Sequence, residues 1–242
     1  MTGNDEARGL LASLKVYLED LRESGVDGLP RTTDDHGSSP VGAQERESLE
    51  AIRADLGECH RCQLGQSRTN LVFGVGDSKA RIVFVGEAPG RDEDLRGEPF
   101  VGEAGQILTR LITRMGLTRR EVYICNVLKC RPPNNRNPHA DEIAKCSPFM
   151  LRQVKAIRPH VVVSLGTFAT QTLLQTKEPI SKLRGKFHDY HGTPLMPTFH
   201  PSFLLRNRGD SAVYWTVWED MVKVLQKLNM PVPDVKKQGR ND

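Results

Sequence analysis

Short apolar runs alternate with amphipathic stretches along most of the chain. Four runs have a continuous apolar stretch, which is typical of buried strands; they lie at 81–89, 122–130, 160–166 and 194–202. Apolar residues at helical spacing predict helices over 47–57, 104–116, 139–157, 167–175 and 211–229. This alternation predicts a three-layer α/β/α sandwich with a central, mainly parallel four-stranded sheet.

The two ends of the chain lack this alternation. Residues 1–23 place leucines at helical spacing, which predicts an amphipathic helix that docks either on the core or on an unidentified partner. Residues 24–45 are rich in Gly, Pro, Ser, Thr and Asp without periodicity and predict a flexible linker. The folded domain is therefore expected at 46–230, followed by a disordered tail at 231–242.

Composition and charge bear on the location and the partners of the protein but do not identify a function. The 242 residues are 38% hydrophobic and carry a net charge of +4. No apolar stretch is long enough for a transmembrane helix, and the N-terminus is polar and acidic, unlike a signal peptide. We therefore expect a cytoplasmic protein without a membrane partner. We also expect a monomer. The mild positive charge permits a nucleic-acid partner but does not require one.

Polar motifs follow three of the four predicted strands. The loop GEAPG (86–90) follows the first strand, Asn126 lies near the end of the second, and HPS (200–202) ends the fourth. Ligands of parallel α/β sheets bind at the carboxyl ends of the strands. The sequence therefore predicts one site at this edge of the sheet.

Three residues of these motifs suit recognition of a base. The Asn126 carboxamide offers an acceptor and a donor side by side, which matches N3–H and O4 of uracil and mismatches cytosine. Pro201 restricts His200 to an extended backbone, and Phe100 lies outside any periodic pattern, where a flat ring can stack on a base. Each residue also has an ordinary alternative: a turn-capping Asn, a structural His and a core aromatic.

Four of the five cysteines are spaced like ligands of a metal or cluster. Cys59 and Cys62 lie at the end of the helix predicted at 47–57, Cys130 follows the second strand, and Cys146 comes after fifteen intervening residues. The spacing fits tetrahedral zinc and an iron–sulfur cluster equally. Cys125 lies inside the second strand and is interpreted as a buried non-ligand cysteine.

Apolar residues also occur in what should be an exposed loop after His200. Phe203, Leu204 and Leu205 follow the HPS motif. Such residues can insert into a duplex as wedges. Packing against the last helix is an equally good interpretation.

Five blocks, in this order, resemble the family-4 uracil-DNA glycosylases. They are CHRC (59–62) with the later KC, GEAPGRDED (86–94), GEPFVGEAGQIL (97–108), YICNVLKCRPPNNRNP (123–138) and HPSFLLR (200–206). The resemblance spans roughly residues 50–228. It implies a base-excision-repair enzyme that flips uracil out of DNA and hydrolyses its N-glycosidic bond. It also implies a [4Fe–4S] cluster and a partner, uracil-containing DNA, single- or double-stranded, which associates the protein with the nucleoid.

The resemblance assigns roles to particular residues. The cluster ligands would be Cys59, Cys62, Cys130 and Cys146. Uracil would be bound by Gly86, Glu87, Phe100, Asn126 and His200. The catalytic residues would be Glu87, Glu93 and His200, with His200 bonding uracil O2 and Glu93 positioning the water. DNA would be contacted by Ser202, Leu204, Leu205 and Arg206. Which of Glu87, Asp92, Glu93 and Asp94 handles water stays open, and Asp92 and Asp94 are also consistent with a solvated helix start.

Two positions depart from related branches. Ala88 stands where family-1 enzymes carry a catalytic Asp, and Gly90 where they carry a Tyr that blocks thymine. Exclusion of thymine is then left to Glu93 or to the shape of the loop. A branch that captures uracil-DNA covalently uses a histidine in a basic loop after the second strand. Here His139 lacks that basic context, and Ala88 replaces the Gln of that branch, which disfavours this alternative.

Other functional classes remain as alternatives from the residues alone. A non-enzymatic DNA-binding protein with a four-cysteine zinc site explains the cysteines, but not the convergence of Asn126 and His200 on the acidic loop. A magnesium nuclease would use Asp92, Glu93 and Asp94. A zinc nucleobase deaminase is disfavoured because its His-x-Glu motif is absent.

Overall fold

The computed structural model describes residues 47–207 and 210–234. All of these residues lie in one unit of the chain, Glu45–Asp242. The predicted N-terminal helix (1–23) and linker (24–45) lie outside the described residues, as does the tail beyond 234. The four described tail residues, 231–234, belong to neither a helix nor a strand.

A six-stranded sheet forms the centre of the described residues. Its strands are β1 (Val75–Gly76), β2 (Ile82–Gly86), β3 (Tyr123–Asn126), β4 (Val161–Leu165), β5 (His188–Tyr190) and β6 (Thr193–Thr198). The spatial order is β1-β3-β2-β4-β6-β5, and the four inner strands are parallel. Every residue of β2, β3 and β4 is buried, in agreement with their uninterrupted apolar sequences.

The α/β architecture and the four parallel strands are confirmed, but the predicted count of four strands is wrong. Two short strands extend the sheet at its edges, β1 antiparallel to β3 and β5 antiparallel to β6. β1 has only two residues and β5 only three, and both include exposed positions. Neither segment is long enough to display a hydrophobic period, so the sequence pattern could not reveal them.

Helices flank the sheet on both faces. Those in the described residues are α1 (Leu49–Leu56), α2 (Leu64–Ser67), α3 (Arg91–Arg96), α4 (Glu103–Arg114), α5 (Ala140–Ile157), α6 (Thr167–Leu174), α7 (Ile180–Leu183), α8 (Pro201–Arg206) and α9 (Ser211–Lys227). The five longest correspond to the five helices predicted within the folded domain at 46–230. None is both long and apolar enough to cross a membrane.

The core has two parts, one on each face of the sheet. Alternate residues of β2 point to opposite faces, as the pleat requires. Phe84 packs with α4 and α9, whereas Val83 and Val85 pack with α5 and α6. Burial on both faces explains the three layers, because a sheet that is apolar on both faces must be covered twice.

A buried carboxylate on α9 joins this helix to the carboxyl end of β6 and to Arg184, which follows α7. Asp220 of α9 is fully buried. Its carboxylate accepts hydrogen bonds from the Thr198 hydroxyl at 2.7 Å and from Arg184 Nε at 3.1 Å. Thr198 is the last residue of β6, two positions before His200. The Asp220 carboxylate therefore stabilises the strand end from which His200 is presented.

Candidate active site

A cavity of about 670 Å³ opens at the carboxyl edge of the parallel strands. The predicted residues that line it are Glu87, Glu93, Phe100, Asn126, His200, Ser202 and Arg206. They come from segments that are distant along the chain. The motifs after β2, β3 and β6 thus meet at one place.

Asn126 presents an unpaired acceptor. It is the last residue of β3 and is 1% exposed. Its Oδ1 atom is buried without a hydrogen-bond partner, the one such side-chain atom in the described residues. Leaving a buried acceptor unpaired costs free energy. The cavity is therefore suited to a ligand that brings an N–H or O–H donor to this oxygen.

Gly86 lies beside Asn126 in the sheet and makes room for it. A Cβ atom at Gly86 would lie 2.3 Å from Asn126 Oδ1 and 2.5 Å from Cζ of Phe100. Both separations are too short for any side chain. Gly86 therefore lets the amide and the Phe100 ring approach the backbone of β2.

His200 is held in one tautomer. Its Nδ1 accepts the backbone N–H of Ser202 at 3.1 Å and lies 2.8 Å from Ser202 Oγ. With Nδ1 as the acceptor, the proton of the neutral ring is on Nε2. Burial lowers the pKa of His200 to about 4, with a smaller contribution from Arg206. His200 is therefore a neutral Nε2–H donor at neutral pH.

Phe100 forms one wall of the cavity. Its ring lies 5.6 Å from that of His200, between centroids, and the residue is 6% exposed. Its backbone has a φ of 55°, a left-handed conformation that is unusual for a bulky residue.

Two of the four carboxylates in the acidic loop line the cavity, Glu87 and Glu93. Glu87 is partly buried, and desolvation raises its pKa to about 7. Glu93 Oε1 accepts the backbone N–H groups of Val101 and Gly102 at 2.9 and 3.0 Å, and Oε2 accepts that of Gly90 at 3.0 Å.

The other two carboxylates have different surroundings. Asp92 is exposed. Asp94 is 4% exposed and accepts backbone N–H groups of Thr69 and Asn70 at 2.9 and 3.3 Å. The interpretation of Asp94 as a solvated helix start is therefore wrong. Its carboxylate fastens α3 to the segment before β1.

Helix α8 divides its residues between the cavity and the core. Ser202, Phe203 and Arg206 line the cavity. Leu204 is buried in the core, and Leu205 is partly buried against it. In this structure Leu204 therefore has the packing role that the sequence left as the alternative to a duplex wedge.

The four spaced cysteines line a second, small cavity behind β3. Cys59, Cys62, Cys130 and Cys146 all face it. Cys125 is fully buried in the core and does not line it. Among the described residues, no group of three or more His, Cys, Asp or Glu side chains is gathered tightly enough to hold a metal ion.

N–H groups point at three of these four sulfurs. Arg61 donates to Cys59 Sγ and Arg68 to Cys130 Sγ, each at 3.4 Å. The backbone N–H of Lys129 donates to Cys146 Sγ at 3.2 Å. Thiolate sulfurs bound to iron accept such bonds. The donor set and its surroundings therefore fit a thiolate-bound cofactor.

The family model of the Uracil DNA glycosylase superfamily matches residues 73–222, which include the whole cavity edge from β2 to α9. The chain belongs to the uracil-DNA glycosylase superfamily.

Relatives within this superfamily identify the branch. The chain is 48% identical to a type-4 uracil-DNA glycosylase of Archaeoglobus fulgidus over 66% of this chain and 84% of that protein. It is 48% identical to that of Thermotoga maritima over 68% and 86%, and 44% identical to that of Saccharolobus solfataricus over 76% and 88%. The family-4 resemblance is thereby confirmed.

Several residues of this type-4 glycosylase site escaped the sequence reasoning. Gly166, after β4, has a φ of 87°, and a Cβ there would lie 2.8 Å from Cβ of His200. The loop after β3 adds a further wall, with Pro132, Asn135, Arg136 and Asn137 lining the cavity. Both segments follow the carboxyl ends of predicted strands. Applying the edge argument to every strand would have included them.

Lys129 is a second omission. It is fully buried, and its Nζ donates to the Asn126 carbonyl at 2.8 Å and to Gln153 Oε1 at 2.6 Å. It therefore fixes the end of β3 between the two cavities. A lysine directly after an apolar strand, within NVLKC, was the available signal.

Proposed function

We propose that this protein flips uracil out of DNA and hydrolyses its N-glycosidic bond, giving free uracil and an abasic site. The observation that carries the proposal is the buried, unpaired Oδ1 of Asn126. Uracil N3–H is a donor for this oxygen, and the adjacent amide N–H suits O4. Cytosine has no N3–H and would leave the acceptor unpaired.

His200 would stabilise the leaving base. As the bond between C1′ and N1 breaks, its electron pair moves to uracil and negative charge develops on O2. The neutral Nε2–H of His200 supplies a preorganised donor for that oxygen. Phe100 would stack on the extruded base beside it.

Glu87 would act on the sugar side. An ionised Glu87 stabilises the positive charge that develops on the sugar. It also takes a proton from the attacking water as the water oxygen forms its bond to C1′. The sequence assigned the water to Glu93, and that role remains a prediction. Glu93 Oε2 accepts only one backbone N–H and keeps a lone pair for water.

Glu93 would also contribute to exclusion of thymine. A Cβ at Gly90 would lie 2.8 Å from Glu93 Oε2, so the Glu93 carboxylate lies beside the space that Gly90 leaves open. A fixed wall can reject the thymine methyl, whereas an imperfect fit alone would discriminate by only about 1–3 kcal/mol.

The cysteines would hold a [4Fe–4S] cluster through Cys59, Cys62, Cys130 and Cys146. The proposal is supported by the four thiols, which all face one cavity, and by the N–H groups that point at three of their sulfurs. The cluster would fasten three chain segments together, and we assign it no step in the reaction.

The DNA partner would be held near the cavity mouth by Ser202 and Arg206, both of which line it. Leu204 and Leu205 were also predicted to contact DNA. Because both pack on the core, these contacts require α8 to move when DNA binds. The cytoplasmic, nucleoid-associated location, the monomeric state and the docking of the N-terminal helix stay predictions.

Covalent capture of uracil-DNA finds no support at His139. This residue is exposed at the start of α5 and does not line the cavity. Hydrolysis by water therefore remains the better proposal.

Single-turnover assays on uracil-containing oligonucleotides test the proposed function. The unmodified protein should release uracil and leave alkali-labile sites from U:G, U:A or single-stranded DNA, but not from T:G. Asn126→Asp should slow excision about a hundredfold or more, because the N–H donor to O4 is lost. His200→Ala should also slow it strongly, whereas Asn229→Asp, an exposed control, should not.

Other outcomes would replace the proposal. Direct, chelator-sensitive strand cuts would indicate a nuclease, and a heat-stable protein–DNA band would indicate covalent capture. Binding of DNA without any excision would favour a non-enzymatic protein.

A further inference from the structure

We infer that Arg119 is a positioning residue for base stacking: it holds the backbone of Phe100 in the left-handed conformation that turns the ring into the cavity. This inference deepens the proposed function and rests on it. It concerns a residue outside the cavity, since Arg119 is not among the lining residues. The segment concerned is residues 97–102, hereafter the Phe100 loop.

The backbone at Phe100 needs an external restraint. A φ of 55° brings the Cβ of an L-residue close to its own backbone, and the conformation is unfavourable for a bulky side chain. Such residues persist where their surroundings fix them, often at functional sites. Without a restraint, the Phe100 backbone would relax to a negative φ and its ring would leave the cavity.

Arg119 supplies the restraint on one side of the loop. Its Nη1 donates to the Phe100 carbonyl at 3.1 Å, and its Nη2 donates to the Pro99 carbonyl at 2.7 Å. Nη1 also lies 3.3 Å from Thr109 Oγ1 on α4. One planar guanidinium thus joins two consecutive carbonyls, including that of the left-handed residue itself.

Glu93 supplies the restraint on the other side. Its Oε1 accepts the N–H groups of Val101 and Gly102, the two residues after Phe100. Two side chains of opposite charge therefore hold the peptide groups before and after Phe100. Glu93 lines the cavity, but Arg119 has no other evident function there.

Close packing against α4 completes the arrangement. A Cβ at Gly105 would lie 2.0 Å from the Phe100 carbonyl oxygen. The left-handed backbone therefore presses this carbonyl against α4 and directs it toward Arg119. Lysine could not replace the arginine fully, because one ammonium on a flexible stem lacks the fork that joins two carbonyls.

A double-mutant cycle tests whether Arg119 acts through Phe100. Arg119→Met should lower the single-turnover excision rate by about tenfold to a hundredfold, the range expected from loss of stacking on one base. The enzyme concentration giving half the maximal rate should change little, because the DNA contacts are intact. In a Phe100→Ala background, Arg119→Met should have no further effect.

Control variants separate positioning from a general loss of structure. Arg120→Met removes the neighbouring, exposed arginine and should leave the rate unchanged. Arg119→Lys should fold normally and restore only part of the rate. It replaces Arg119→Met in the cycle if the latter variant does not fold.

Each outcome is decisive. Full activity of a folded Arg119 variant, or losses that add in the Phe100→Ala background, would contradict the inference. A crystal structure of the Arg119 variant gives a readout that needs no activity: Phe100 should have a negative φ, and an unchanged φ would overturn the inference. Absence of excision by the unmodified protein would contradict the proposed function instead.

Discussion

At the scale of single residues, burial favours the neutral forms of two groups that face the same cavity. It raises the pKa of Glu87 to about 7 and lowers the pKa of His200 to about 4. His200 therefore stays neutral over the whole working range, and the pH dependence near neutrality belongs to Glu87. Opposite shifts of this kind are expected where an acid–base pair divides its roles.

The Glu87 pKa predicts how the rate depends on pH. Because the ionised carboxylate is the active form, the single-turnover excision rate should rise as pH increases through about 7. Glu87→Gln should be slow at every pH and should lose this dependence. Glu219→Gln, an exposed control on α9, should keep the normal profile.

The same shift has a consequence for stability. A raised carboxyl pKa means that the folded protein binds more protons than the unfolded chain between the usual carboxyl range and about 7. The contribution of Glu87 to folding stability therefore decreases as pH rises through that window. Thermal unfolding at pH 5 and pH 8 measures this effect. The melting temperature of Glu87→Gln, relative to that of the unmodified protein, should be higher at pH 8 than at pH 5.

At the scale of elements, the position of His200 depends on contacts between α9 and the end of β6. The carboxylate of Asp220 is fully buried and accepts hydrogen bonds from Thr198 and Arg184. Removing one member of a partly buried ion pair leaves the other charged group without its partner. Loss of the Asp220 carboxylate should therefore weaken the contact between α9 and the end of β6.

Asp220→Ala should lower the free energy of unfolding by about 1–3 kcal/mol, since the buried Thr198 hydroxyl and the partly exposed Arg184 guanidinium lose their charged partner. Urea denaturation measures the change. Glu219→Ala, the adjacent exposed position on α9, should change it by less than about 0.5 kcal/mol. Equal effects of the two variants would mean that the ion pair contributes little to stability.

At the scale of the whole molecule, the two cavities lie at the two ends of one short segment. Asn126 lines the first cavity, Cys130 lines the second, and the buried Lys129 binds the Asn126 carbonyl between them. The four cysteines lie in the segment after α1, the segment after β3 and the middle of α5. A cofactor at this place would stabilise the region behind the base-binding edge.

Loss of one proposed ligand should therefore affect the cofactor and the fold together. The purified protein should be brown with a broad visible absorbance, and Cys146→Ala should lose the colour and unfold at a lower temperature. Cys125→Ala should keep the colour, because Cys125 lies in the core away from the cavity. A colourless unmodified protein that contains zinc would contradict the cluster assignment.

The sequence by itself determined the α/β architecture with its parallel strands, and it predicted where along the chain the site residues lie. Apolar strands between amphipathic helices predict a parallel sheet, and the carboxyl ends of its strands place Asn126 and His200 at one edge. These features depend on patterns within short windows of the chain. The same patterns did not predict β1 and β5, because strands of two and three residues are too short to show a hydrophobic period.

Only the tertiary structure decided which members of each motif face the cavity. GEAPGRDED does not show by itself which of its four carboxylates face the site. Folding leaves Asp92 exposed, buries Asp94 against Thr69 and Asn70, and desolvates Glu87. Leu204 is likewise buried in the core, and Arg119 donates hydrogen bonds to the carbonyls of Phe100 and Pro99. Desolvation and hydrogen bonding depend on groups that are distant in sequence, and these come together only when the chain has folded.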